Sequence, residues 1–211
     1  MKFKETIILP RIIPREEIEQ LLNYIYASLS SLSGIQYKHS LRDAAVIEVF
    51  FATGARVYEI SNVRAENINL NSGLIRIMGK GGKERYIQIS NTAVLDILRK
   101  SYAENEPEIK KSGYFFINNR GNRYTEQSIR LMLKKYTLKA GIQRKITPHM
   151  FRHSFATYLI EEGVDVSCVQ QILGHSSIKT TQIYIHVAAK KQADILRELH
   201  PRNNMNIVKV A

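Results

Sequence analysis

Three short stretches toward the C-terminal end of this chain hold side chains that chemistry uses: His149-Met150-Phe151-Arg152, then Leu173-Gly174-His175, then Tyr184, nine positions past that last histidine. An arginine can grip a phosphate through two parallel N–H donors, histidines can donate to or exchange protons with its oxygens, and a tyrosine hydroxyl can attack phosphorus. Ordered within 36 residues, the set suits cleavage of a phosphodiester by a tyrosine. No member persuades alone. The chain has eleven tyrosines and six histidines, and a Tyr or His at helical spacing is more often a packed residue than a nucleophile.

The elements that must position these residues are well punctuated. Thr147-Pro148 reads as an N-cap followed by a first-turn proline, which puts His149 and Arg152 one turn apart on one face near a helix start, where anions are favoured. Gly163 ends that helix, Asp165 caps the next, Gly174 ends it, and Ser176 or Ser177 can cap a short helix toward Tyr184. A final amphipathic helix carries Ile195, Leu196 and Leu199 and stops at His200-Pro201. Upstream, Ile18, Leu21, Leu22, Ile25 and Leu29 mark one face of a helix beginning after Pro14. A stretch with Ser, Gly and Lys near 30–39 breaks the pattern, and Leu41 to Phe51 forms a largely apolar helix. After Thr53-Gly54-Ala55 a second start carries Arg56 and Glu59, three apart, so that the carboxylate can hold the guanidinium. Leu74–Met78 and Arg85–Ile89 around Gly79-Lys80-Gly81-Gly82-Lys83 read as a β-hairpin. Asn91 to Ala103 is helical, Tyr114 to Ile117 is a candidate short strand, and Thr125 caps a helix running to Gly141. The fold expected is α+β, mainly helical with a small antiparallel hairpin or sheet.

Composition narrows the partner. At 211 residues with 44% apolar content the chain suits one or two domains with a proper core, while a net charge of +12 and a pI near 9.8 concentrate polyanions around it. Arg130, Lys134, Lys135, Lys139, Arg144 and Lys145 could form a DNA track, or a solvated helix face. Cys168 is the single cysteine, which excludes an intrachain disulfide and a Cys-rich zinc site. A metal held by His149, His153 and His175 lacks an Asp or Glu among its ligands, so neither metal nor cofactor is expected. Met1-Lys2-Phe3-Lys4-Glu5 opens no signal peptide and no apolar run of about 18 residues exists, so a cytoplasmic protein is expected.

Five separated segments, Thr53-Gly54-Ala55-Arg56-Val57-Tyr58-Glu59-Ile60, Gly79-Lys80-Gly81-Gly82-Lys83-Glu84-Arg85, His149-Met150-Phe151-Arg152-His153, Leu173-Gly174-His175 and Tyr184, resemble the catalytic domain of the tyrosine recombinase (phage integrase) family. The resemblance covers residues 12–200, with 1–11 as linker or tail and 201–211 as a C-terminal tail. It implies Arg56 and Arg152 as the arginine clamp, Lys80 as the hairpin lysine (Lys83 flanks the same turn as its rival), His149 and His175 as the histidines and Tyr184 as the nucleophile. It implies site-specific cutting and rejoining of DNA through a 3′-phosphotyrosyl bond, without ATP or metal. Implied partners are double-stranded DNA, a homotetramer on paired sites acting through a Holliday junction and monomeric when free, and accessory DNA-bending proteins. Members usually carry a helical core-binding domain ahead of the catalytic one, so a chain starting this close to it reads as a catalytic segment or as a short member such as the fimbrial-type invertases. A type IB topoisomerase and a non-catalytic DNA-binding regulator are the alternatives; a lost catalytic residue would mark the latter, and none is lost.

Overall fold

The computed structural model describes residues 11–174 and 193–207, without the side chains of Lys80 and Val166. The centre is a long helix, α2 (Gly34–Thr53), buried on nearly every side from Ser40 onward. Helices α1 (Arg15–Leu29), α4 (Thr92–Glu104) and α7 (Pro148–Glu161) pack around it. The apolar positions that mark α1 in the sequence, Ile18, Leu21, Leu22, Ile25 and Leu29, are the ones it buries, and Pro14 stands just ahead of its first turn. Helix α2 starts earlier than the expected break at 30–39. Its first turns are polar and half exposed, so the backbone ladder continues where apolar periodicity does not yet show.

A short helix α3 (Val57–Ser61) follows, then an antiparallel sheet in the order β1 (Ile68–Asn69), β2 (Leu74–Met78) and β3 (Glu84–Gln88). The β2–β3 register pairs Ile75 with Ile87 and Ile77 with Arg85, around the expected Gly-rich turn. Thus the architecture is α+β, mainly helical, with one small sheet. Beyond it come α5 (Glu106–Ser112), absent from the sequence reading, and α6 (Glu126–Lys139), whose N-cap Thr125 accepts from the Ser128 N–H. Tyr114–Ile117 is not a strand. Only isolated bridges, Arg64 with Tyr114 and Ile117 with Arg123, form there, because Phe115 and Phe116 are spent filling the core.

Helix α8 (Val166–Leu173) is capped by Asp165, which accepts from the Ser167 N–H, and closed by left-handed Gly174. After it the described chain resumes in a helix over 193–199, α9, which buries Leu196. His200, just past it, is buried, and residues expected as a tail then dock on the core: Pro201, Arg202 and Met205 are buried, and Arg202 Nε donates to Glu48 Oε1 at 3.2 Å. Tyr26 donates to the same Glu48 oxygen. No described helix is long and apolar enough to cross a membrane.

Candidate active site

Arg152 lies in the second turn of α7 and is buried. Its Nη1 donates to the Gly54 carbonyl and its Nη2 to the Leu173 carbonyl, both at 2.8 Å. These acceptors are the ends of α2 and α8, where helices leave carbonyls without intrahelical partners and carry partial negative charge. Two helix ends therefore aim a guanidinium without neutralising it. Gly54 permits this junction: its φ is +59°, and a Cβ there would stand 2.6 Å from Phe155 Cδ1 and 2.7 Å from Leu173 Cδ2.

Around Arg152 the structure gathers further charge. Glu59 of α3 is buried and accepts from the Arg56 backbone N–H at 2.7 Å and from Arg56 Nη1 at 3.1 Å. Arg85 of β3 grips the same carboxylate as a fork, Nη1 to Oε1 at 2.9 Å and Nη2 to Oε2 at 2.8 Å. Burial alone would push the Glu59 carboxyl up, but the Arg85 fork and then Arg56 hold it below the ordinary carboxylate value. Burial, followed by the charges of Arg56 and Arg85, lowers Arg152 to about 10, against the pull of Glu59. It stays cationic at neutral pH. Three guanidiniums against one carboxylate leave two positive charges, and Arg56, with 40% of its side chain exposed, offers them to solvent. Such an excess of guanidinium charge suits an anion such as a phosphate.

Of the residues singled out by sequence, Arg56 and Arg152 come together here. His149 is exposed in the first turn of α7, and burial and then the charges of His149 and Arg152 depress the neighbouring His153. Lys80 lies in the turn after β2, where Gly79 N–H donates to the Lys83 carbonyl at 2.6 Å. Lys83 in that turn is exposed. His175 and Tyr184 lie outside the described residues.

The phage integrase family model matches residues 11–191. The chain belongs to that family. A tyrosine recombinase of Agathobacter rectalis is 45% identical over 97% of this chain and 67% of that protein. Tyrosine recombinase XerD of Listeria monocytogenes is 38% identical over 92% of this chain and 64% of its own. The chain thus spans about two thirds of the length of the curated relatives it matches. Among solved structures, XerA recombinase superposes with a TM-score of 0.66 at 29% identity, covering 95% of this chain and 68% of that one. XerH recombinase bound to its difH substrate gives 0.68 at 28% identity, covering 89% of this chain and 52% of that one.

Two features of this integrase-family domain go beyond the sequence reading. Arg130, Lys134, Arg144 and Lys145 line one groove of about 690 Å³ that also takes in His149, so a basic track reaches the α7 start. Lys135, expected on that track, instead lies 3.6 Å from Asp43 and 4.2 Å above the Tyr136 ring. Arg85 was missed altogether. Its signal was there: it shares a strand face with Ile87, and a charge on the buried face of a strand needs a buried partner.

Proposed function

We propose that this chain is the catalytic part of a site-specific DNA recombinase that cuts and rejoins double-stranded DNA through Tyr184. The observation that carries this reading is the convergence of Arg56 and Arg152 at an unbalanced positive centre, with a basic groove at the start of the helix that carries Arg152. Attack on a phosphodiester spreads charge over the non-bridging oxygens, so convergent guanidiniums stabilise the transition state more than the ground state. Tyr184 Oη bonds to phosphorus while the bond from phosphorus to the 5′ oxygen breaks. His149 takes the phenolic proton, Lys80 gives one to the departing 5′ oxygen, and His175 hydrogen-bonds a phosphate oxygen. The 3′-phosphotyrosyl bond keeps the energy of the phosphodiester, so a 5′-hydroxyl can reverse the step without ATP. With arginines as the charge clamp, the step needs no divalent ion. The same reading includes four copies assembled on paired sites, working through a Holliday junction, and action in the cytoplasm. XerH, solved with its substrate DNA, supplies a parallel for the partner.

The test is a nicked suicide duplex in the presence of EDTA. Wild type is expected to accumulate a covalent protein–DNA adduct and Tyr184→Phe none; an adduct persisting in the variant would remove Tyr184 from the mechanism.

A further inference from the structure

Arg85 does more in this structure than fill a strand. Its side chain is only 11% exposed, opposite Ile77 in the β2–β3 register, and both outer nitrogens are committed to Glu59. Glu59 also faces the neck of the hairpin. A Cβ built on Gly79 would stand 3.6 Å from Glu59 Oε1, so the carboxylate lies against the backbone of the residue before Lys80. One buried anion therefore joins the N-terminus of α3, through Arg56, to strand β3, through Arg85, beside the neck of the hairpin at Gly79. Among the described residues, Arg85–Glu59 is the one ion pair linking the hairpin to α3. The end of α8 crosses the same spot: a Cβ on Gly174 would approach Arg85 Cδ to 3.0 Å, and Leu173 just before it holds Arg152.

We propose that Arg85 is a positioning residue for proton delivery: by clamping Glu59 it fixes the hairpin neck, and with it the lysine-bearing turn, against the arginine pair. Arg85 touches neither phosphate nor leaving group. The proposal rests on the recombinase reading above, in which a hairpin lysine protonates the 5′ oxygen. A turn of five residues with three glycines has no stiffness of its own, so the place of its lysine must come from how the neck is held. Without Arg85, the strand beneath the turn loses its ionic attachment to α3. Arg56 keeps its own two bonds to Glu59, so the clamp is less affected than the acid.

Three substrates separate these effects in single-turnover cleavage of nicked duplexes. One carries the natural phosphodiester. A second has sulfur in place of the 5′ bridging oxygen; the thiolate leaves without a proton because thiols are far more acidic than alcohols. A third has a methyl group in place of one non-bridging oxygen, so it is uncharged and needs less of the arginine clamp. Arg85→Ala is expected to cleave the natural substrate about 100-fold more slowly than wild type, the lower end of what general acid catalysis contributes. Sulfur should bring it back to within about threefold of wild type on the same substrate, and the methyl group should not. Arg85→Lys, which keeps the charge and loses the fork, should lie between, with the same pattern of rescue. Arg152→Ala should show the reverse pattern.

A variant that stays slow on the sulfur substrate overturns the proposal, whatever it does on the uncharged one. Because Arg85→Ala could unfold the hairpin, Arg85→Lys decides if the alanine variant melts early; absence of sulfur rescue there is equally fatal. If sulfur relieves Arg85→Ala but not Lys80→Ala, another group such as Lys83 is the acid and the role of Arg85 stands. Relief of Lys80→Ala alone removes Arg85 and leaves the recombinase reading intact. Failure of that reading looks different: wild type would form no adduct on any substrate.

Discussion

Among the described residues three buried carboxylates, Asp43, Glu48 and Glu59, are held by arginines, and the surroundings of the last two differ in one decisive respect. Glu48, on α2, faces Arg202, Tyr26 and no further cation in its hydrogen-bond set, and both ionic partners are almost wholly buried. Glu59 faces Arg56 and Arg85, with Arg152 close enough for their fields to lower it. The first cluster is balanced and closed, the second over-charged and open at Arg56. A balanced, closed pair holds chain segments together, here residue 202 against residue 48. An uncompensated excess costs stability through mutual repulsion, and an anion bound there would relieve that cost.

The comparison predicts opposite losses. Arg202→Ala leaves Glu48 buried beside Tyr26 alone, and breaking a buried pair from one side costs about 3–5 kcal/mol. Chemical denaturation should show that loss, while cleavage per folded molecule stays within about twofold of wild type. A much larger drop in cleavage would show that the docked C-terminal segment belongs to the active site. Arg152→Ala should do the reverse. Cleavage falls by about 10²–10³, the scale of losing one transition-state donor, equivalent to about 2.7–4 kcal/mol. Stability changes less, because the orphaned Gly54 and Leu173 carbonyls are offset by relief of repulsion from Arg56 and Arg85. Single-turnover rates and urea midpoints on the same two variants settle both halves.

The two clusters were also unequally legible. Local signals gave the scaffold of the charged one: left-handed Gly54 and Gly174, the Asp165 cap and the Thr147-Pro148 start each act within a few residues, so their meaning survives in the sequence. Arg56 and Glu59, three apart on one short helix, belong to this class. Arg85 does so only in part: alternation with Ile87 puts it on the inner face, but its partner is 26 residues away. The Glu48–Arg202 pair spans 154 residues, and nothing near Arg202 distinguishes it from a solvated tail. The same limit explains Tyr114–Ile117, whose aromatic run reads as a strand until the core claims Phe115 and Phe116. His175 and Tyr184, chosen on motif spacing, fall outside the described residues.

The smallest effect is a pH dependence that separates the clusters on titration. His200, next to the Glu48 pair, lies against the rings of Phe51 and Phe155 at centroid distances of 5.6 and 5.9 Å, and its Nδ1 accepts from the Arg202 N–H at 2.9 Å. Burial lowers it from 6.5 to about 4. The folded state thus resists a proton that the unfolded chain accepts. Stability from this group is complete above about pH 6.5 and is lost as pH falls toward 4, by up to about 3 kcal/mol. Glu59, also lowered, loses its contribution in acid too, but only below the ordinary carboxylate value. Urea midpoints from pH 7.5 to 4.5 should therefore decline in wild type and flatten in His200→Gln, which cannot titrate. Cleavage per folded molecule over the same range should not distinguish the two proteins, since His200 belongs to the closed cluster. If His200→Gln keeps the full wild-type slope, the acid sensitivity lies elsewhere and the buried His200 is not what ties the docked segment to pH.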